Sequence, residues 1–155
     1  MIRLSKMTDY AIVLMGYISR HPENEMCNSR GLAEESQLPL PTVSKILKAL
    51  SRSGLLVSHR GNKGGYTLVR RASELSIAEI ITAMEGGLAL TECTSTAPVL
   101  CELEPSCPVR SNWTKINKAV CDALAGLTLD EMAAPLPKTS SFGLNDQTLL
   151  KLVKR

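Results

Sequence analysis

The sequence predicts a mainly α-helical fold carrying one small β-hairpin, and three observations lead there. Apolar residues recur at helical spacing in several separate stretches, closed in turn by Pro22, Gly54 and Gly86-Gly87. Two short strand-like runs flank a glycine-rich stretch, Gly61-Asn62-Lys63-Gly64-Gly65. The composition, 44% hydrophobic but only 3% aromatic, calls for an aliphatic core of Leu, Ile, Val, Met and Ala. A chain of 155 residues is one domain, or a small domain with an appended arm, and can bury such a core.

Met7 to Arg20 is the first predicted helix, with Tyr10, Ala11, Leu14, Tyr17 and Ile18 on one stripe and Pro22 ending it. Asn28 or Ser29 caps a short second helix that turns Leu32 and Ala33 inward. After a turn over Gln37 to Leu40, Pro41 takes the first position of a third helix, where its absent N–H is not missed. That helix, Pro41 to Ser53, buries Val43, Ile46, Leu47 and Leu50 and carries Thr42, Ser44, Lys45, Lys48 and Arg52 on its other face. Gly54 stands where a left-handed residue closes a helix, and Leu55 folds back toward Leu50. Leu56 to Arg60 and Tyr66 to Arg70 form the hairpin.

Ser76 and Glu79 make a capping box for the next helix, with Leu75 and Ile80 as its hydrophobic staple. Leu88 to Val109 is helix-poor and holds three cysteines with Pro98, Pro105 and Pro108 between them. Ser111 to Ala125 resumes helix, with Trp113, Ile116, Val120, Leu124 and then Leu127 on one face. That stripe suits a dimer contact or packing within its own subunit equally well. Thr128 and Glu131 cap a brief last helix ended by Pro135; a linker and a basic tail, Leu149 to Arg155, follow.

Charge is the first functional signal. Between Glu35 and Glu74 there is no Asp or Glu, while Lys45, Lys48, Arg52, Arg60, Lys63, Arg70 and Arg71 all fall there. A one-signed surface of this kind neutralises phosphates and releases their counterions. Laid over helix, turn, helix and hairpin, it predicts a recognition helix in the major groove of double-stranded DNA, with Arg60 and Lys63 of a wing reaching the minor groove or nearby phosphates. The glycine-rich stretch lacks the GxxxxGK[ST] order and opens a strand, which excludes a nucleotide loop. Two histidines, with no triad spacing and no paired carboxylates, argue against an enzyme or a small-molecule substrate. No apolar h-region follows Met1 to Lys6 and no apolar run approaches the roughly 18 residues of a membrane span, so a soluble, cytoplasmic protein is expected.

In a reducing compartment the five cysteines, Cys27, Cys93, Cys101, Cys107 and Cys121, are not expected to form disulfides. Cys93, Cys101 and Cys107 lie in one proline-stiffened loop. Their spacing is not that of a zinc finger, and a metal site or three incidental thiols account for it equally. Cys27 and Cys121 are expected to be buried small hydrophobes, and His21 and His59 surface residues.

Met7-Thr8-Asp9-Tyr10-Ala11, Pro39-Leu40-Pro41-Thr42-Val43, Arg60-Gly61-Asn62-Lys63-Gly64-Gly65-Tyr66 and three spaced cysteines before a long helix resemble the winged-helix regulators typified by IscR, NsrR and the SUF-operon regulators. The resemblance spans about Met1 to Ala134. It implies a homodimeric transcription factor in which Cys93, Cys101 and Cys107 hold an iron–sulfur cluster, 2Fe-2S favoured and 4Fe-4S the alternative. IscR has a His three positions after its third cysteine; Arg110 stands here and cannot ligate iron. In NsrR-like members an Asp near the start of the first helix of the other subunit serves, and Asp9 matches it, although a charge complementing the helix dipole is the commoner role. Pro41, Thr42 and Ser44 match the base-reading positions and Arg60 the wing site, with Lys45, Lys48 and Lys63 as further DNA contacts. Ser44 replaces a Glu of IscR, so operator preference does not carry over.

The division expected is 1–87 for a winged helix-turn-helix DNA-binding domain, 88–110 for a cluster-binding loop, 111–134 for a dimerisation helix and 135–155 for a flexible tail. The expected function is a transcriptional regulator sensing iron–sulfur cluster status at SUF-type assembly genes. A nitric-oxide-responsive cluster repressor, or a thiol-redox or zinc-dependent winged-helix regulator, are the alternatives.

Overall fold

The structure, a computed structural model, describes residues 3–23, 25–61, 64–95, 101–103 and 106–134. Lys63, Asn62, Pro98, Pro105 and the whole of 135–155 lie outside the described residues. The order is α1 (Lys6–Arg20), α2 (Ser29–Ser36), α3 (Leu40–Arg52), β1 (Leu56–His59), β2 (Gly65–Leu68), α4 (Ile77–Glu85), α5 (Arg110–Ala125) and α6 (Leu129–Ala133). Short 3-10 turns at Ala72–Glu74 and Glu92–Thr94 precede and follow α4. The fold is mainly helical with a two-stranded antiparallel wing, as the sequence predicts.

α1 lies at the centre. Thr8, Ala11, Leu14, Met15 and Ile18 bury one face of it, and Tyr10 and Tyr17 flank that face half-buried. α2, α3, α4, α6 and β2 pack around this helix, α6 against Gly16 and Arg20. The fully buried Leu14, Leu32, Ile46, Leu47, Leu50, Leu75, Ile80 and Leu129 make the aliphatic core. Each such side chain contributes about 1.5–3 kcal/mol over its exposed state.

α3 begins one residue earlier than predicted. The Pro39 carbonyl accepts both the Thr42 and the Val43 N–H, at 2.9 and 3.1 Å, so the first turn closes on Pro39 and Pro41 falls at the second helical position. Both prolines then occupy sites whose amides would have lacked helical partners. At the other end Leu55 N–H reaches the Leu50 carbonyl at 3.0 Å and Gly54 N–H the Ser51 carbonyl at 3.1 Å. This is a Schellman closure, and Gly54 tolerates its φ of +74° because it has no Cβ.

The strands are shorter than predicted, pairing Leu56 with Leu68 through His59 with Gly65. On its other edge β2 is engaged by the chain just before α2: Cys27 and Tyr66 exchange backbone hydrogen bonds at 3.1 and 2.9 Å. A Cβ on Gly65 would sit 2.8 Å from the Cys27 carbonyl oxygen, so only glycine permits this approach.

Ser76 and Thr128 are each the N-cap of a capping box, the first closed by Glu79 and the second by Glu131. The two caps form an antiparallel bridge, with Ile77 N–H on the Leu127 carbonyl (2.9 Å) and Leu129 N–H on that of Leu75 (2.8 Å). This bridge returns α6 to α1 and to the 3-10 turn at Ala72–Glu74. Among the described residues no helix is long and apolar enough to cross a membrane.

Candidate nucleic-acid interface and cysteine segment

The turn after α2 is set by Gln37, left-handed at φ 57°, and α3 leaves it with its apolar face against α1. Pro41, Lys45, Lys48 and Arg52 follow at helical intervals along the opposite ridge, and all four are exposed. Thr42 and Ser44 lie beside that ridge, half-buried. Arg60 is exposed directly after β1. Lys45, Lys48, Arg52 and Arg60 make no ion pair among the described residues, which leaves their charge for a polyanion.

Arg70 and Arg71 belong to the same run in sequence but not in space. Arg70 Nη2 pairs with Glu79 at 2.5 Å while its Nη1 donates to the Glu74 carbonyl, and Arg71 faces Glu23 at 3.8 Å. The unpaired basic surface therefore narrows to α3 and the wing. His59 is exposed, and its Nε2 lies 3.1 Å from Thr67 Oγ1 across the hairpin. His21 is half-buried, not simply exposed, because Glu25 and Glu35 bracket its ring at 3.8 and 3.3 Å.

All five thiols are free. Cys93, Cys101 and Cys107 are half-buried, with Cys93 Sγ 3.3 Å from Thr91 Oγ1. Among the described residues no three Cys, His, Asp or Glu side chains stand together at metal-ligating spacing. Asp9 is exposed in the first turn of α1. Cys27 is buried as expected; burial, with Glu35 and Glu25 nearby, pushes its thiol up to about 11. Cys121, expected to be buried, is only half so, because it borders a cleft of about 1080 Å³ between α4, α5 and Leu88-Ala89-Leu90.

Two links tie this segment to its surroundings. Asn117 of α5 accepts the Leu90 N–H at 2.9 Å and donates to the Leu88 carbonyl at 3.3 Å, gripping the chain three residues before Cys93. Glu85, ending α4, accepts the Ser5 N–H at 3.0 Å and the hydroxyl of fully buried Thr8, beside Asp9. The Thr8 hydroxyl and the Ser5 amide hold the Glu85 carboxyl below its ordinary range. Sequence reasoning missed both links. Asn117 had left a signal, an amide set within the apolar stripe of Trp113, Ile116 and Val120; nothing local marked Glu85.

A cationic helix presented by a helix-turn-helix, with a hairpin wing beside it, defines a winged helix-turn-helix DNA-binding protein. Residues 4–135 match the family described as "Rrf2: Iron-dependent Transcriptional regulator", and the chain belongs to that family of transcriptional regulators. It is 30% identical over 142 residues to Protein aau3 of Rhizobium meliloti (strain 1021), covering 88% of each chain. It is 28% identical to the HTH-type transcriptional regulator NsrR of Oceanobacillus iheyensis, over 84% of this chain and 89% of that one. Among solved structures it is similar to CymR, the global cysteine regulator of B. subtilis, with a TM-score of 0.69 and 26% identity over 86% of this chain and 97% of that one. The relatives named as HTH-type regulators place the chain among DNA-binding transcription factors and not among enzymes.

Proposed function

We propose that this regulator senses iron–sulfur cluster status through Cys93, Cys101 and Cys107 and adjusts its grip on DNA accordingly. The observation that carries the reading is the placement of the cysteine segment. It leaves α4 of the winged helix at Glu85 and is held by Asn117 to α5. Three free, half-buried thiols form a soft donor set whose chemistry fits a cluster, and the family description supports iron. A bound cluster supplies a centre that oxidants or nitric oxide can destroy. Among the described residues the three thiols do not stand together, so ligation requires Cys93, Cys101 and Cys107 to be brought together around the group, coupling binding to local rearrangement. Asp9 is the fourth ligand in this reading, contributed by a second copy, and the exposed Trp113 and Ile116 of α5 form the contact between copies.

Bringing the three thiols together pulls on Leu88 and Leu90, hence on α5 through Asn117, and on α1 through Glu85. A homodimer must span half-sites about one helical turn apart, so a small rotation alters affinity. Coupling of about 1–3 kcal/mol suffices for a genetic switch. DNA contacts fall to Pro41, Thr42, Ser44, Lys45, Lys48, Arg60 and Lys63, and SUF-type assembly genes are the leading target. Iron and sulfide analysis of anaerobically purified protein tests the reading: both present in stoichiometric amounts support it, and their absence from brownless protein rejects it. One similarity favours a second reading, a thiol redox switch at the same cysteines: the structural match to a cysteine regulator, CymR. That reading predicts no iron and reversible change on oxidation by peroxide.

A further inference from the structure

The tip of the recognition helix is apolar, and its chemistry points to a particular base. Pro39, Leu40 and Pro41 are all exposed, Leu40 at 39%, and none has a side chain that makes hydrogen bonds. The backbone adds little. Neither proline has an N–H, and the Thr42 and Val43 amides are both spent on the Pro39 carbonyl. Of the backbone donors from Pro39 to Val43, only the Leu40 amide is left without a helical partner. No acidic side chain lies in the first turn and no side-chain cap closes it. Leu40 and Pro41 therefore cannot read the hydrogen-bonding edge of a base pair, and such reading falls to the Thr42 and Ser44 hydroxyls beside them.

Position on the helix sharpens the point. Pro41 heads the exposed ridge that continues through Lys45, Lys48 and Arg52, with Leu40 at its flank. When the ridge follows the major groove, with its lysines on phosphates, the amino-terminal turn is the part that meets base edges. Among base pairs, the apolar feature in that groove is the C5-methyl group of thymine. We propose that Leu40 and Pro41 set operator preference by packing on thymine methyl groups. The proposal rests on seating α3 in the major groove and adds to it the base that the tip selects. It is independent of any cluster.

The test begins with duplexes selected from a random pool by the full-length protein at fixed salt. Each thymine of a selected duplex is then replaced by deoxyuridine, which differs only in lacking the methyl group. The expected result is about a fourfold loss of affinity at one or two thymines per half-site, the scale of one buried methyl. Leu40→Ser and Pro41→Ser, both at exposed positions where serine suits a helix start, should bind the thymine and deoxyuridine duplexes alike. Equal binding of both duplexes by the unaltered protein at every position overturns the proposal, and this comparison needs no variant. So does discrimination that survives in both serine variants. Lys45→Glu with Lys48→Glu tests the seating separately. If that change leaves affinity for the selected duplex intact, the placement of α3 fails and the proposal with it. If affinity collapses while deoxyuridine is tolerated throughout, only the methyl reading fails.

Discussion

Asn117 and Leu90 are joined by a 2.9 Å hydrogen bond in which the Leu90 backbone N–H donates to the side-chain Oδ1 of Asn117. The same amide donates to the Leu88 carbonyl, so one side chain satisfies two backbone groups two residues apart. Both backbone residues are half-buried, where a lost partner costs about 1–3 kcal/mol. Asn117→Ala should therefore accelerate amide exchange at Leu88 to Thr94 while leaving α1 to α4 protected, read by hydrogen–deuterium exchange. Unchanged exchange in this segment would show that α5 does not hold it.

Thiol reactivity should divide along burial. Cys27 is 6% exposed and its pKa is pushed up to about 11, whereas Cys93, Cys101 and Cys107 are half-buried. The thiolate is the nucleophile, so at pH 8 iodoacetamide should label the three loop cysteines at least about tenfold faster than Cys27 in metal-free protein. Peptide mapping by mass spectrometry checks the order. The raised pKa also means Cys27 favours folding below the unfolded thiol value, and that contribution is lost as pH rises through about 11.

Acid should loosen the caps. Backbone donation from Ser76, with Arg70 alongside, lowers the Glu79 pKa; the Thr8 hydroxyl and Ser5 lower that of Glu85; and the Thr128 amide lowers that of Glu131. A carboxyl depressed in the folded state stabilises it above the ordinary value of 4.5, and the stabilisation disappears as pH falls through the folded value. The urea midpoint should hold between pH 7 and 5 and drop below 4.5, with a smaller drop in Glu79→Gln and Glu85→Gln together. A midpoint that falls equally in that double variant assigns acid sensitivity to other groups.

Gly65→Ala should cost about 1–3 kcal/mol, because the new Cβ meets the Cys27 carbonyl oxygen at 2.8 Å, a backbone atom with no rotamer to move away. Equilibrium denaturation measures it. Gly61→Ala is a different case, strained by its φ of +111° but meeting nothing within 4 Å among the described residues. A Gly65→Ala variant as stable as the parent would mean that the start of β2 moves freely away from Cys27.

How much of this was legible depends on range. Pro22, the Ser76–Glu79 box, Gly54 with Leu55, and Asn28 act within a few residues of where they stand, so the helix ends and the hairpin could be read directly. The start of α3 slipped by one because Pro39 and Pro41 both suit a helix entrance, and only the Pro39 carbonyl contacts choose between them. The Ser76–Thr128 bridge, the grip of Glu85 on Ser5 and Thr8, and the capture of Arg70 by Glu79 join residues far apart in the chain or across a turn. No local periodicity encodes them. For the candidate site the same limit applies. The basic ridge of α3 follows from helical spacing, but that Arg70 and Arg71 turn away from it follows from packing alone.

In the function proposed above, the cysteine segment governs the hold on DNA. The most direct measurement compares, under argon and at fixed salt, the affinity of iron-loaded protein for a selected duplex with that of the Cys93→Ser, Cys101→Ser, Cys107→Ser variant. A difference of about 5–150-fold, abolished when nitric oxide bleaches the loaded protein, is the predicted result. Equal affinities from a protein that carries no iron would contradict the account.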